Sequence, residues 1–204
     1  MRRFRILFSA LLVTAAAAVL LAGCGRDKSS SDSQTNDRGT SGSAGNGEVY
    51  ADSLEIMKII WGSVDENERF SSYGGSDLEN PVMDAPGNFD VSQTDALTST
   101  LIIPQSLYDK IDNAASLIHM MNANNFTGAA IRINGTDVPA AAEELRKSIT
   151  GNQFMCGFPE KLVIITTGNY IVYAFGLEDS VNSFKGAAEK MLKDAQVVCD
   201  QRME

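Results

Sequence analysis

Leu162-Val163-Ile164-Ile165-Thr166-Thr167, then Gly168-Asn169, then Tyr170-Ile171-Val172-Tyr173-Ala174-Phe175, is the stretch that sets the architecture of this chain. Both arms are rich in β-branched and aromatic residues, and the Gly-Asn pair supplies the positive φ that a two-residue turn needs. A β-hairpin is predicted. Neither arm alternates apolar with polar residues, so helices must cover at least one face of the resulting sheet and something else the other.

Working outward, Val181, Phe184, Ala188, Met191, Leu192 and Ala195 recur at helical spacing after the hairpin. Glu178 and Asp179 open that run and Lys190 and Lys193 close it, matching the helix dipole. Before the hairpin, Gly128 to Ile133 reads as a strand, and Asp137 as the N-cap of a helix through Leu145 and Ile149 with Pro139 in its first turn. Leu107, Ile111, Ala114, Ile118 and Met121 alternate four and three apart, which predicts a helix from Gln105 into the Asn122–Asn125 cluster. Leu101–Ile103 reads as a short strand, and Leu54, Met57, Ile60, Trp61 and Val64 as an amphipathic helix over 51–64. From 65 to 100 glycines and prolines break every period, predicting a long irregular loop. The expected class is α+β: a two-layer sandwich of helices on a small sheet, with βαββα over 128–197 as its core.

Arg2, Arg3 and Arg5 precede an uncharged run from Ile6 to Leu21, and Leu21-Ala22-Gly23-Cys24 follows. A basic stretch, an apolar stretch and two small residues before a cysteine make a lipoprotein processing signal. Residues 1–23 are read as the signal peptide and Cys24 as the lipidated first residue of the mature chain. The alternatives are a simple secretory signal or a single membrane anchor, but about 16 apolar residues fall short of the roughly 20 a spanning helix needs. Residues 24–48 read as the lipidated cysteine and a disordered Gly/Ser-rich tether, because 25–47 hold no large apolar side chain to offset the entropy of ordering. Residues 49–204 read as one extracytoplasmic domain. The expected location is the cell membrane, lipid-anchored and facing out of the cytoplasm.

Removing 1–23 leaves 14 basic against 26 acidic residues, a net charge of −12. Such a surface disfavours nucleic acid and anionic lipid as partners. Few residues offer chemistry. His119 is the only histidine, and with Met120, Met121, Met155 and Cys156 it makes a soft-donor set of the kind copper(I) takes. On the expected helix these neighbours point about 100° apart, so His119, Met120 and Met121 cannot share one ion. The metal candidates are therefore kept as His119, Met120 and Cys156, with packing at the helix edge as the plain reading, and no cofactor is expected. Cys156 and Cys199 remain once Cys24 is lipidated. Outside the cytoplasm such a pair suggests a disulfide, and closing a loop of about 44 residues would contribute about 4 kcal/mol. Otherwise Cys156, among Phe154, Met155 and Phe158, is a small buried hydrophobe. No C-x-x-C pair is present. The acids from Asp65 to Asp95 could hold Ca²⁺, yet they lack the ordered spacing of an EF-hand loop.

Three phrases carry a family resemblance: Met83-Asp84-Ala85-Pro86-Gly87, His119-Met120-Met121-Asn122-Ala123-Asn124-Asn125-Phe126-Thr127-Gly128, and Met155-Cys156-Gly157-Phe158-Pro159. Over about 52–197 the chain resembles uncharacterised lipoproteins of Gram-positive anaerobes, some labelled "bacteriocin transport accessory protein". That label implies a thioredoxin-like accessory role, from which this chain departs by lacking a C-x-x-C pair. Two functions follow as expectations. One is a membrane-anchored surface lipoprotein with a non-enzymatic domain binding a protein, peptide or small solute. The other is a redox or copper-handling accessory of an export system using Cys156.

Overall fold

In a computed structural model describing residues 50–135 and 137–203, the predicted hairpin forms with Thr167 opposite Tyr170, and Gly168 at φ +55 supplies the turn. The stretches read as signal peptide and tether, with Cys24 between them, lie outside the described residues.

In chain order the elements are α1 (Ser53–Ser63), β1 (Ser72–Gly74), β2 (Val82–Met83), β3 (Gly87–Phe89), α2 (Thr94–Ser99), β4 (Ile111–His119), β5 (Phe126–Ile133), α3 (Val138–Thr150), β6 (Lys161–Thr167), β7 (Tyr170–Gly176), α4 (Glu178–Met191) and β8 (Gln196–Arg202). Short 3-10 helices stand at Glu66–Glu68 and Gln105–Lys110. The eight strands form an open antiparallel sheet in the order β2-β1-β4-β5-β7-β6-β8, with β3 also paired to β4.

The hairpin's doubly apolar character has a direct cause: both faces of the sheet are covered. Leu162, Ile164, Ile171, Tyr173 and Phe175 point into a core closed by Leu145 and Ile149 of α3 and by Leu97, Leu101 and Leu107. Val163, Ile165, Tyr170, Val172 and Ala174 point into a second core closed by Ile56, Met57, Ile60 and Trp61 of α1 and Val181, Phe184 and Ala188 of α4. The class is α+β as expected, but the sheet is a middle layer between helices rather than one half of a two-layer sandwich. Within it, βαββα runs β5-α3-β6-β7-α4 as predicted. Asp137 caps α3 by accepting from the Ala140 amide at 3.2 Å.

Four expectations are corrected. The helix from Gln105 is a 3-10 turn followed by β4. Ala114 belongs to one core and Ala115 and Leu117 to the other. A strand buried on both sides has no polar positions to mark its period of two, so its spacing imitates a helix. The irregular segment 65–100 is built up by β1, β2, β3 and α2. Leu101–Ile103 is a loop that buries Leu101 and Ile103, with Ile102 at φ +56. Helix α4 stops at Met191, and the chain adds edge strand β8. Only Cys199 of that strand is buried, and its apolar stretch, Val197-Val198-Cys199, is too short to announce it. Asp200 on β8 pairs with Lys185 at 2.8 Å and Lys161 at 3.0 Å, the kind of charge that keeps an edge from recruiting other strands.

Candidate functional site

The seven-residue strands β6 and β7 run between two poles roughly 20 Å apart. At the turn pole, beside Gly168 and Asn169, the Tyr170 hydroxyl donates to the Tyr50 carbonyl at 3.3 Å and the Lys193 amide donates to the Tyr50 hydroxyl at 2.6 Å. The described chain therefore enters here. At the far pole three connections meet: 119–125 between β4 and β5, 151–160 between α3 and β6, and 176–178 between β7 and α4. The Leu177 amide donates to the Asn125 carbonyl, and the Glu160 amide to the Gly176 carbonyl, each at 2.8 Å. Gly176 sits at φ +148, and a Cβ there would lie 2.2 Å from the Asn125 carbonyl oxygen, so the junction needs glycine.

Two asparagines tie the first two loops together. Asn122 Nδ2 donates to the Cys156 carbonyl at 2.8 Å, and Asn124 Nδ2 donates to the Met155 carbonyl at 2.8 Å and the Gly157 carbonyl at 2.9 Å. Asn122 Oδ1 in turn accepts from the Asn124 amide at 2.9 Å. The loop so held places Cys156 at φ +66 and Gly157 at φ +124. A non-glycine residue is uncommon at positive φ and persists where its surroundings hold it. The clamp presents apolar side chains to solvent: Met121 is 83% exposed, Met155 81% and Phe158 74%. Met120 and Leu177 are also exposed beside them. Polar bonds to the main chain, rather than burial of these side chains, hold the surface in place.

The residues singled out from sequence divide. His119 ends β4, stacks on Phe70 with centroids 5.0 Å apart, and its Nδ1 accepts from the Met121 amide at 3.1 Å. That bond places the neutral ring's proton on Nε2, leaving no lone pair there for an ion. Met120 is tied by its amide to the Ser71 carbonyl at 3.0 Å. Among the described residues, no three of His, Cys, Asp and Glu come together as a metal-binding group. Cys156 and Cys199 are both free thiols. Cys156 is exposed, whereas Cys199 is buried in the α3-side core, where burial pushes its thiol pKa up. The structure therefore contains neither the disulfide nor the buried form of Cys156. Ser72 lies cross-strand from His119, but its hydroxyl is buried and makes no hydrogen bond among the described residues, so the pair is no nucleophile and base. The loop carboxylates serve their own turns. Asp77 accepts from the Glu79 and Asn80 amides at 3.0 and 3.1 Å, and Asp90 from the Ser92 amide at 2.9 Å. Cys24 lies outside the described residues.

Sequence reasoning missed Met121, Asn122, Asn124, Met155 and Phe158 as parts of one surface. The signal was present in the two phrases His119–Gly128 and Met155–Pro159, whose residues meet through the asparagine clamp. The third phrase joins the same end, since the Asp84 amide donates to the Ser72 carbonyl at 2.8 Å and Trp61 Nε1 donates to the Asp84 carbonyl at 3.1 Å.

The rim of this surface is acidic. Glu68 and Asp179 line a surface groove of about 400 Å³ with Ser180, Asn182 and Ser183, and Glu66 stands in the same 3-10 helix as Glu68. Lys190 lines an adjoining groove with Glu68 and has no ion-pair partner among the described residues, while the other cations at this end are engaged. Lys161 and Lys185 pair with Asp200, Arg202 pairs with Glu178, and Arg69 lies over the Trp61 ring. Among the described residues, Glu66, Glu68 and Asp179 have no ion-pair partner. No family model, curated protein or solved structure matches the chain.

Proposed function

We propose that this chain is a surface lipoprotein, held on the cell membrane through lipid on Cys24 and facing away from the cytoplasm, whose domain is a non-enzymatic binding or accessory module. The βαββα segment over 128–197 is its scaffold, and the resemblance to lipoproteins of Gram-positive anaerobes accords with this reading. The observation that carries it is the clamped loop pair with Met121, Met155 and Phe158 turned to solvent. An exposed apolar cluster on an ordered frame marks an interaction site. Covering each such side chain contributes about 1.5–3 kcal/mol. The partner is a protein, peptide or small solute, and the charge of −12 disfavours nucleic acid.

A photo-crosslinking residue placed at Met121 in the producing cell tests this. A discrete adduct at that position and none at Lys193, on the turn pole, is the expected result. Equal labelling at both positions defeats the reading.

A second reading, a redox or copper-handling accessory of an export system, is favoured by the free exposed thiol of Cys156 between Met155 and Gly157. It requires copper(I) to be retained against a chelator by the chain and lost in Cys156→Ser.

A further inference from the structure

We infer that the partner taken at this pole is a cationic amphipathic peptide segment, large apolar side chains flanked by Lys or Arg; this rests on the binding reading above. Methionine is unbranched and polarizable, so a Met121, Met155 and Phe158 surface accepts apolar side chains of varied shape. Around it Glu66, Glu68 and Asp179 lack ion-pair partners among the described residues, while Lys161, Lys185 and Arg202 are each paired with a carboxylate. An apolar centre with unneutralised acids at its edge matches a segment carrying the opposite charge on an apolar body.

Other occupants fit less well. Residues 25–47 of the chain itself hold no large apolar side chain to cover the methionines. A second copy would bring another net charge of −12 against the same acidic rim. Anionic lipid is repelled by the same acids, and the chain enters the domain at the other pole, beside Tyr50.

The chain from residue 24 onward, carrying Cys24→Ser so that no lipid competes, contains both cores whole. It is titrated with a labelled Leu/Lys helical peptide of ~14 residues, about four turns, and with a Leu/Glu peptide of the same pattern. Fluorescence anisotropy should show the Leu/Lys peptide bound roughly tenfold or more tighter. The triple variant Met121→Ser, Met155→Ser, Phe158→Ser should lose roughly tenfold or more in affinity with little change in salt dependence. Glu66→Gln with Glu68→Gln should weaken binding and flatten the salt dependence. Equal binding of both peptides, indifference to the triple variant, or capture by anionic or zwitterionic vesicles in place of peptide overturns the inference. If the Leu/Lys peptide fails while Met121 still crosslinks in cells, the surface stands and only the chemistry assigned to its partner falls.

Discussion

Asn124 reaches across the far pole so that its side-chain amide donates to the main-chain carbonyl of Met155 at 2.8 Å, joining a loop that follows β4 to one that follows α3. Asn124→Ala removes this bond and the one to Gly157 at an exposed site, so global stability should fall by only about 1 kcal/mol. Amide hydrogen exchange over 153–158 should nevertheless accelerate, because of the three asparagine bonds to that loop only the one from Asn122 to the Cys156 carbonyl then remains. Unchanged exchange there would show that the Asn124 arm of the clamp does not order the loop.

Gly176 and Gly186 should respond in opposite senses to alanine. At Gly176 the added methyl meets the Asn125 carbonyl at 2.2 Å with φ at +148, and a loss of ~2 kcal/mol or more is expected. At Gly186, inside α4, a Cβ meets nothing within 4 Å, so alanine should stabilise by up to about 1 kcal/mol. Urea unfolding of the two variants reads both signs.

The two thiols should separate by reactivity. Cys156 is exposed and Cys199 is buried with its pKa raised by desolvation. Brief alkylation of the native chain from residue 49 should add one label, mapped to Cys156, and alkylation after denaturation without reductant should add two. No label before reduction would establish a Cys156–Cys199 bridge.

Acid should weaken the β8 edge. Hydrogen bonding from Lys185, then from Lys161, holds the Asp200 carboxyl below the usual carboxylate range. A carboxylate depressed in the folded state stabilises fully above its unfolded pKa, near ~4, and that contribution drains away as pH falls through the lower folded value. Asp200→Asn should therefore be less stable than the parent at neutral pH, on the order of 1 kcal/mol after solvent screening, with the gap closing at strongly acid pH. Thermal melts at several pH values follow the gap; a difference that widens on acidification contradicts the assignment.

The hairpin, α1, α3 and α4 were legible because each shows its burial as a period or a turn. Strands β4 and β8 were illegible for opposite reasons. Ala114, Ala115, Ser116 and Leu117 are all buried, so β4 has no polar face to reveal an alternation. Only Cys199 is buried in β8, so it has no apolar face either. The loop pair was hidden by the first of these errors. With residues 107–121 read as a helix, Met121 belonged to a buried stripe, whereas β4 ends at His119 and leaves Met121 exposed in the loop that follows. Asn122 and Asn124 looked like a helix stop signal, and their partners at 155–157 are more than 30 positions away, beyond any local pattern.

The separation of Tyr50 from the loop pair has a mechanical consequence. If Cys24 is anchored and a partner is gripped at Met121 and Met155, tension enters at one end of β6 and β7 and leaves at the other. The load from the tether meets the domain first at the N-terminus of α1, where Tyr50 is held to Tyr170 and Lys193. A domain tethered this way keeps the face that would grip a partner clear of its own point of attachment.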